Sequence, residues 1–155
     1  PGQWMDPGAL GSLGVGTGFS MAAKLAHPNK EVVCLYGDGS FGMTAFDMET
    51  AQRFGAPYLA IVGNNSAMNQ IRYGQISKYG AQRGGVGNKL GDVDFSLFGK
   101  MIGGYGEEVR EASQIQPALL RAREAIAKTG KCAVVNVWVD PNEYAPGTKA
   151  QTMYK

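Results

Sequence analysis

Residues 37–65, GDGSFGMTAFDMETAQRFGAPYLAIVGNN, constrain the chain more than any other stretch. An apolar run, Val32-Val33-Cys34-Leu35-Tyr36, stops at Gly37-Asp38-Gly39, and a second run, residues 58–62, stops at Asn64-Asn65. The segment between them has helical composition. Two strands joined by a helical crossover run parallel, so both polar turns fall on the same edge of one sheet. Asp38 and Asn65 can then face one point. A carboxylate and an amide carbonyl are hard oxygen donors, suited to a Mg²⁺ ion that also holds phosphate oxygens. Glycines beside Asp38 let backbone N–H groups come close to such phosphates.

The rest of the chain supplies one domain around this unit. At 155 residues with 44% hydrophobic content it can bury a real core and is not a disordered polymer. A net charge of +2 gives no reason to expect nucleic acid or a membrane surface as partner. No long apolar span and no leader-like segment stand out, which points to a soluble cytoplasmic protein. Cys34 and Cys132 sit inside apolar runs and read as buried free thiols of a reducing compartment.

In chain order, residues 1–8 are a Pro/Gly-rich loop. Four glycines in Gly11-Ser12-Leu13-Gly14-Val15-Gly16-Thr17-Gly18 then lead into helical sequence, so either a ligand or another element packs on bare backbone there. The only histidine, His27, reads as a surface residue at a helix end. Thr44 is expected to cap a helix over residues 45–54 that buries Phe46, Met48 and Phe54, with Asp47 and Glu49 on a solvated or capping face. Residues 74–94 show no period and read as a loop, and its Arg83 and Lys89, with Arg72 just before it, are more at home in solvent than on a substrate. Asp94 caps a helix over 95–102, a strand spans 105–109, Ser113 caps a helix over 115–128, and 132–139 is a buried strand. The architecture implied is a single three-layer α/β domain over residues 1–140, with a mostly parallel sheet covered by helices on both faces and the ligand at its carboxyl edge. Residues 141–155 read as a tail or lid.

GDG, then 24 residues, then NN resembles the signature of thiamine-diphosphate-dependent enzymes. The resemblance extends from residue 1 to about 140 and is to the C-terminal cofactor-binding domain of the acetohydroxyacid synthase-like group. PGQWMDPG, LGVGTGF and NQIRYGQ look nearest to 2-hydroxyacyl-CoA lyases and oxalyl-CoA decarboxylases, with acetolactate synthase as the alternative. It implies that Asp38, Asn65 and the main-chain carbonyl of Ala67 bind Mg²⁺, and that Gly37, Gly39, Ser40 and Met68 line the diphosphate. Gly11 would offer its carbonyl to the aminopyrimidine 4′-amino group. The residue two later, Leu13, would bond the ring through its N–H and hold the bent cofactor from below. Many relatives have Gly at position 67, so Ala67 requires a negative φ. Ser66 and Gln70 become substrate-pocket candidates. Ile71 stands where pyruvate decarboxylase-like enzymes place a Glu.

The same resemblance implies lyase, decarboxylase or transferase (carboligase) chemistry on an acyl-CoA or 2-oxo acid, with the thiazolium as electron sink. It also implies that no catalytic acid lies in this chain. The activating Glu is expected on a separate N-terminal pyrimidine-binding domain, usually of another subunit of a homodimer or tetramer. The competing class is a non-catalytic nucleotide- or cofactor-binding module using the same metal–phosphate chemistry.

Overall fold

The computed structural model of the chain describes residues 3–142. Strands β1 (Val33–Gly37), β2 (Leu59–Asn64), β3 (Tyr105–Val109) and β4 (Ala133–Trp138) form one sheet in the order β1-β2-β4-β3. Every neighbouring pair is parallel. One face carries α1 (Val15–Ala26), α2 (Asp38–Thr44), α3 (Asp47–Arg53) and α6 (Ser96–Met101); the other carries α7 (Ala112–Thr129). The remaining helices, α4 (Asn69–Tyr79) and α5 (Ala81–Gly84), follow the carboxyl end of β2. The expected α/β domain with a parallel sheet is what the chain adopts.

Alternation along the strands splits the core in two. Tyr36, Val62 and Val134 point to the α1–α3 face, where Phe41 and Met48 fill the layer. Leu59, Val109 and Val135 point to α7, which meets them with Ala118 and Ala122, one turn apart. The small alanines let α7 lie close, while Ile115, Leu119 and Ile126 flank the contact. On the other face a Cβ on Gly106 would lie 1.9 Å from the Ser96 carbonyl oxygen, and one on Gly99 would lie 2.2 Å from that of Tyr105. Helix α6 therefore rests directly on the β3 backbone, an approach that only glycine allows.

Several expectations are corrected. Phe46 and Phe54 are 74% and 64% exposed, whereas Met48 is fully buried. The helix expected over 45–54 is α3, over 47–53, and Thr44 does not cap it: Thr44 is the last residue of α2, and Phe46 stands at the N-cap of α3. Ser113 does not cap α7. Glu111 does, in a capping box with Gln114, which satisfies N-terminal N–H groups at both positions. Asp94 does serve α6, its Oδ1 accepting the Ser96 N–H at 2.9 Å. The segment 74–94 is not a plain loop, because α4 continues to Tyr79 and α5 follows. Cys132 is buried, but Cys34 is only half-buried, and the two are free thiols. Coverage of the α7 face stops short of β1, leaving Val33 and Leu35 51% and 64% exposed. His27 ends α1 on the surface, as expected. The tail lies, from residue 143 on, outside the described residues.

Candidate functional site

Register places the two polar turns side by side. Gly37, the last residue of β1, pairs with Gly63 of β2, so Asp38 and Asn64-Asn65 leave adjacent strand ends together. Asp38 is 4% exposed. Its Oδ1 accepts the Gly39 N–H at 2.7 Å, and its Oδ2 accepts the N–H groups of Asn65 at 3.2 Å and Ala67 at 3.0 Å. Among the described residues no lysine or arginine forms an ion pair with it. A buried carboxylate held by backbone dipoles and lacking a counter-charge is a strong place for a cation.

The Asn pair divides its labour. Asn64 is structural: its Nδ2 donates to the Val93 carbonyl at 2.7 Å and to Asn136 Oδ1 at 3.0 Å, and its Oδ1 accepts the Ser66 N–H at 3.1 Å. That last bond holds Ser66 at φ 56°, the single non-glycine left-handed residue described. Ala67, next to it, therefore has the negative φ its side chain requires. Asn65 Oδ1, by contrast, is buried and has no hydrogen-bond partner among the described residues. An orphaned acceptor beside a buried carboxylate costs stability unless a further group uses it. The Ala67 carbonyl is also left out of pairing among the described residues. Ala67 bridges Lys89, but the bonds of that bridge run from Met68 N to Asn88 O and from Leu90 N to Ser66 O. The donor set, one carboxylate and two neutral carbonyl oxygens, fits Mg²⁺ completed by phosphate oxygens.

The other candidates arrange themselves around this point. Gly39 faces Met68, whose Cγ would be 2.9 Å from any Cβ placed there. Ser40 Oγ accepts the Gly14 N–H at 3.0 Å, which joins α2 to the glycine-rich turn. In that turn Gly11 ends a short 3-10 turn at φ 58°, with its N–H spent on Gly8 O and its carbonyl outside that bond. Leu13, between Gly11 and Gly14, is 44% exposed. Of the remaining glycines, Gly14 meets Thr44 Cγ2 and Gly16 meets Cys34 Sγ and the Tyr36 ring, all within 3.0 Å of an added Cβ. The glycine run is thus partly a matter of close packing against protein. Ser66 donates its hydroxyl to Asp92 at 2.6 Å, and Gln70 is exposed at the start of α4. A cavity of about 350 Å³ opens beside Asn65 between Ile115, Val137 and Trp138, but neither Ser66 nor Gln70 lines it. Among the acids, Glu49 pairs with Arg53 on the surface.

Sequence reasoning missed one part of this site. Thr44 Oγ1 donates to the Gly14 carbonyl at 2.8 Å and lies 3.1 Å from Thr17 Oγ1, which lies 3.0 Å from Tyr36 OH, itself 3.2 Å from Tyr58 OH. Burial pushes the Tyr58 phenol up to about 12 and raises Tyr36 as well, so both remain protonated donors. Threonines and tyrosines at these spacings carry no motif; only the three-dimensional contact reveals them.

A parallel sheet with a metal-fitting pair of turns at its carboxyl edge defines an α/β domain built to hold a phosphate-bearing cofactor. Over residues 1–137 the chain matches the family described as thiamine pyrophosphate enzyme, C-terminal TPP binding domain, and it belongs to that family. It is 34% identical to 2-hydroxyacyl-CoA lyase 2 of Mus musculus over 96% of its own length and 23% of that protein. It is 35% identical to the acetolactate synthase large subunit IlvG of Mycobacterium tuberculosis over 94% of its length and 26% of that protein. The chain thus spans about a quarter of the relatives it matches. No helix among the described residues is long and apolar enough to cross a membrane.

Proposed function

We propose that this chain forms the diphosphate- and Mg²⁺-binding part of a thiamine-diphosphate-dependent lyase, decarboxylase or carboligase acting on a 2-hydroxyacyl-CoA or 2-oxo acid. The observation that carries the reading is the orphaned, buried Asn65 Oδ1 beside a buried, unpaired Asp38. Asp38, Asn65 Oδ1 and the Ala67 carbonyl would hold Mg²⁺. Gly37 and Gly39 keep the backbone low enough for a diphosphate, with Met68 packed across Gly39. Ser40 accepts from Gly14, so its own proton is free to go to a phosphate oxygen. Gly11 offers its carbonyl, and Leu13 its N–H and side chain, to the aminopyrimidine. When bound, thiamine diphosphate supplies a thiazolium ring that accepts the electron pair of the C–C bond being broken or made. Ser66 and Gln70 would then face the substrate.

Of the described glutamates, Glu31, Glu49, Glu107, Glu108 and Glu124 pair with arginine or lysine and Glu111 caps α7, which supports an activating Glu on a pyrimidine-binding domain elsewhere in a homo-oligomer. Two free cysteines support a reducing compartment such as the cytoplasm. Similarity to a 2-hydroxyacyl-CoA lyase and to an acetolactate synthase supports the two substrate classes about equally. The test is calorimetric titration with Mg²⁺ present. Thiamine diphosphate should bind in clear preference to ADP. Equal or tighter ADP binding would make this a nucleotide module instead.

A further inference from the structure

The hydroxyl chain behind the glycine-rich turn has one direction. Thr44 gives its only hydroxyl proton to the Gly14 carbonyl. Its oxygen must therefore accept from Thr17, whose oxygen must accept from Tyr36, which in turn must accept from Tyr58. Every donor is used and the chain ends on Gly14. Thr17, Tyr36 and Tyr58 are 1%, 6% and 1% exposed, so water does not compete for these bonds. On the other side of the same residue the Gly14 N–H, in the peptide that joins it to Leu13, is held by Ser40. Ser40 and Thr44 are four residues apart on α2, which puts them on one face. Close contact reinforces the grip, since Thr44 Cγ2 would lie 2.9 Å from a Cβ on Gly14 and Gly14 sits at φ 82°. The helix that begins with Asp38 thus ends by clamping the residue after Leu13.

We propose that Thr44 is a positioning residue. With Ser40 it clamps Gly14 from both sides and sets the place of Leu13 against the ring end of thiamine diphosphate, while Asp38 on the same helix fixes the metal end. This rests on the cofactor reading above and adds to it that α2 sets the distance between the two ends of the ligand. The buried tyrosines and Thr17 brace the clamp from the core.

The test separates the two ends. In the full-length protein that carries this chain, thiamine diphosphate and inorganic diphosphate are each titrated with Mg²⁺ by calorimetry. Thr44→Val, nearly isosteric but without the hydroxyl, should weaken thiamine diphosphate about tenfold, roughly one hydrogen bond's worth. Inorganic diphosphate affinity should stay the same, because only the ring end is misplaced. Thr44→Ser, which restores the donor, should recover most of the loss. Unchanged thiamine diphosphate affinity in Thr44→Val overturns the proposal. So does an equal loss for both ligands, which would make Thr44 a general support of the fold. Should Thr44→Val not fold, Thr17→Val, one link further back, should show the same selective loss at smaller size, and no selectivity there also overturns it. A wild-type protein that binds inorganic diphosphate and Mg²⁺ but not thiamine diphosphate would instead refute the cofactor reading itself.

Discussion

Truncating Leu13 to alanine should leave the ligand-free fold nearly intact while weakening the cofactor complex. Leu13 is 44% exposed in a turn beside the site. The change removes the three carbons beyond Cβ, each worth about 0.8 kcal/mol when fully buried. Little more than half of that burial exists here, and solvent fills the space left, so no cavity term is added. The expected cost is about 1 kcal/mol, a fall in Tm of roughly 2–4 °C for a chain of this size. Phe41→Ala is the comparison. Phe41 is fully buried, with the rings of Tyr36, Phe95 and Phe98 at 5.2, 5.4 and 5.8 Å, and its loss should cost about 3–5 kcal/mol. Urea and thermal unfolding of the ligand-free chain measure both, and calorimetry gives the loss of thiamine diphosphate affinity. Should Leu13→Ala lose the 2–5 kcal/mol typical of a core leucine, or leave cofactor affinity untouched, the side chain is core packing and its cofactor role is wrong.

Four further outcomes follow from the geometry. Asn65→Ala removes an acceptor that bonds nothing among the described residues, so ligand-free stability should stay within about 0.5 kcal/mol of wild type while Mg²⁺-dependent affinity falls; a large loss of urea stability would show that its side chain packs instead. Gly106→Ala drives a Cβ to within 1.9 Å of the Ser96 carbonyl oxygen and should cost at least about 1–3 kcal/mol, against which wild-type stability would contradict the α6–β3 contact. Burial raises the Cys132 thiol from 9.0 to about 11 and the Tyr58 phenol to about 12, so the native state binds these protons more tightly than the unfolded chain does. Their contribution is complete below about pH 9 and is lost as pH rises through about 11–12; a flat urea midpoint from pH 8 to 11 would contradict it. Finally, the chain by itself should exchange the C2 proton of bound thiamine diphosphate no faster than free cofactor does, as followed by NMR; markedly faster exchange would mean that it carries its own activating acid.

The sheet was legible because β2 and β4, buried on both faces, and β1, buried on one, are all written as apolar runs. Residues 105–109 were expected as a strand and are β3, and the other three strands fall within two residues of their apolar runs at each end. The metal-fitting pair was legible because its two turns close adjacent strands at a fixed interval. Helix starts were less so. Thr44 has the chemistry of a cap, but it closes α2 and the backbone stays helical through Ala45 and Phe46 into α3. Ser113 loses to Glu111, an uncommon cap that succeeds because Gln114 reciprocates. The continuation of helix α4 from Gly74 to Tyr79 hid behind that glycine and a lack of amphipathic period, none of its residues being fully buried. Phe46 and Phe54 show the limit of reading an aromatic as core, since Phe46 meets Phe98 edge to face and yet stays mostly exposed. The division of work between Asn64 and Asn65 could not be read from two identical residues; it follows from which one faces Asn136 and Val93.

The central claim is that Asp38 and Asn65 hold a metal that binds the diphosphate, and the dependence of thiamine diphosphate affinity on Mg²⁺ tests it most directly. Asp38→Asn is the informative variant, because it keeps an oxygen near the Gly39, Asn65 and Ala67 N–H groups and removes the charge. Wild type should bind much more tightly with Mg²⁺ than with EDTA, Asp38→Asn should lose most of that difference while staying folded, and Asn65→Ala should fall between them. An affinity for thiamine diphosphate that responds to Mg²⁺ in Asp38→Asn as it does in wild type would contradict the assignment.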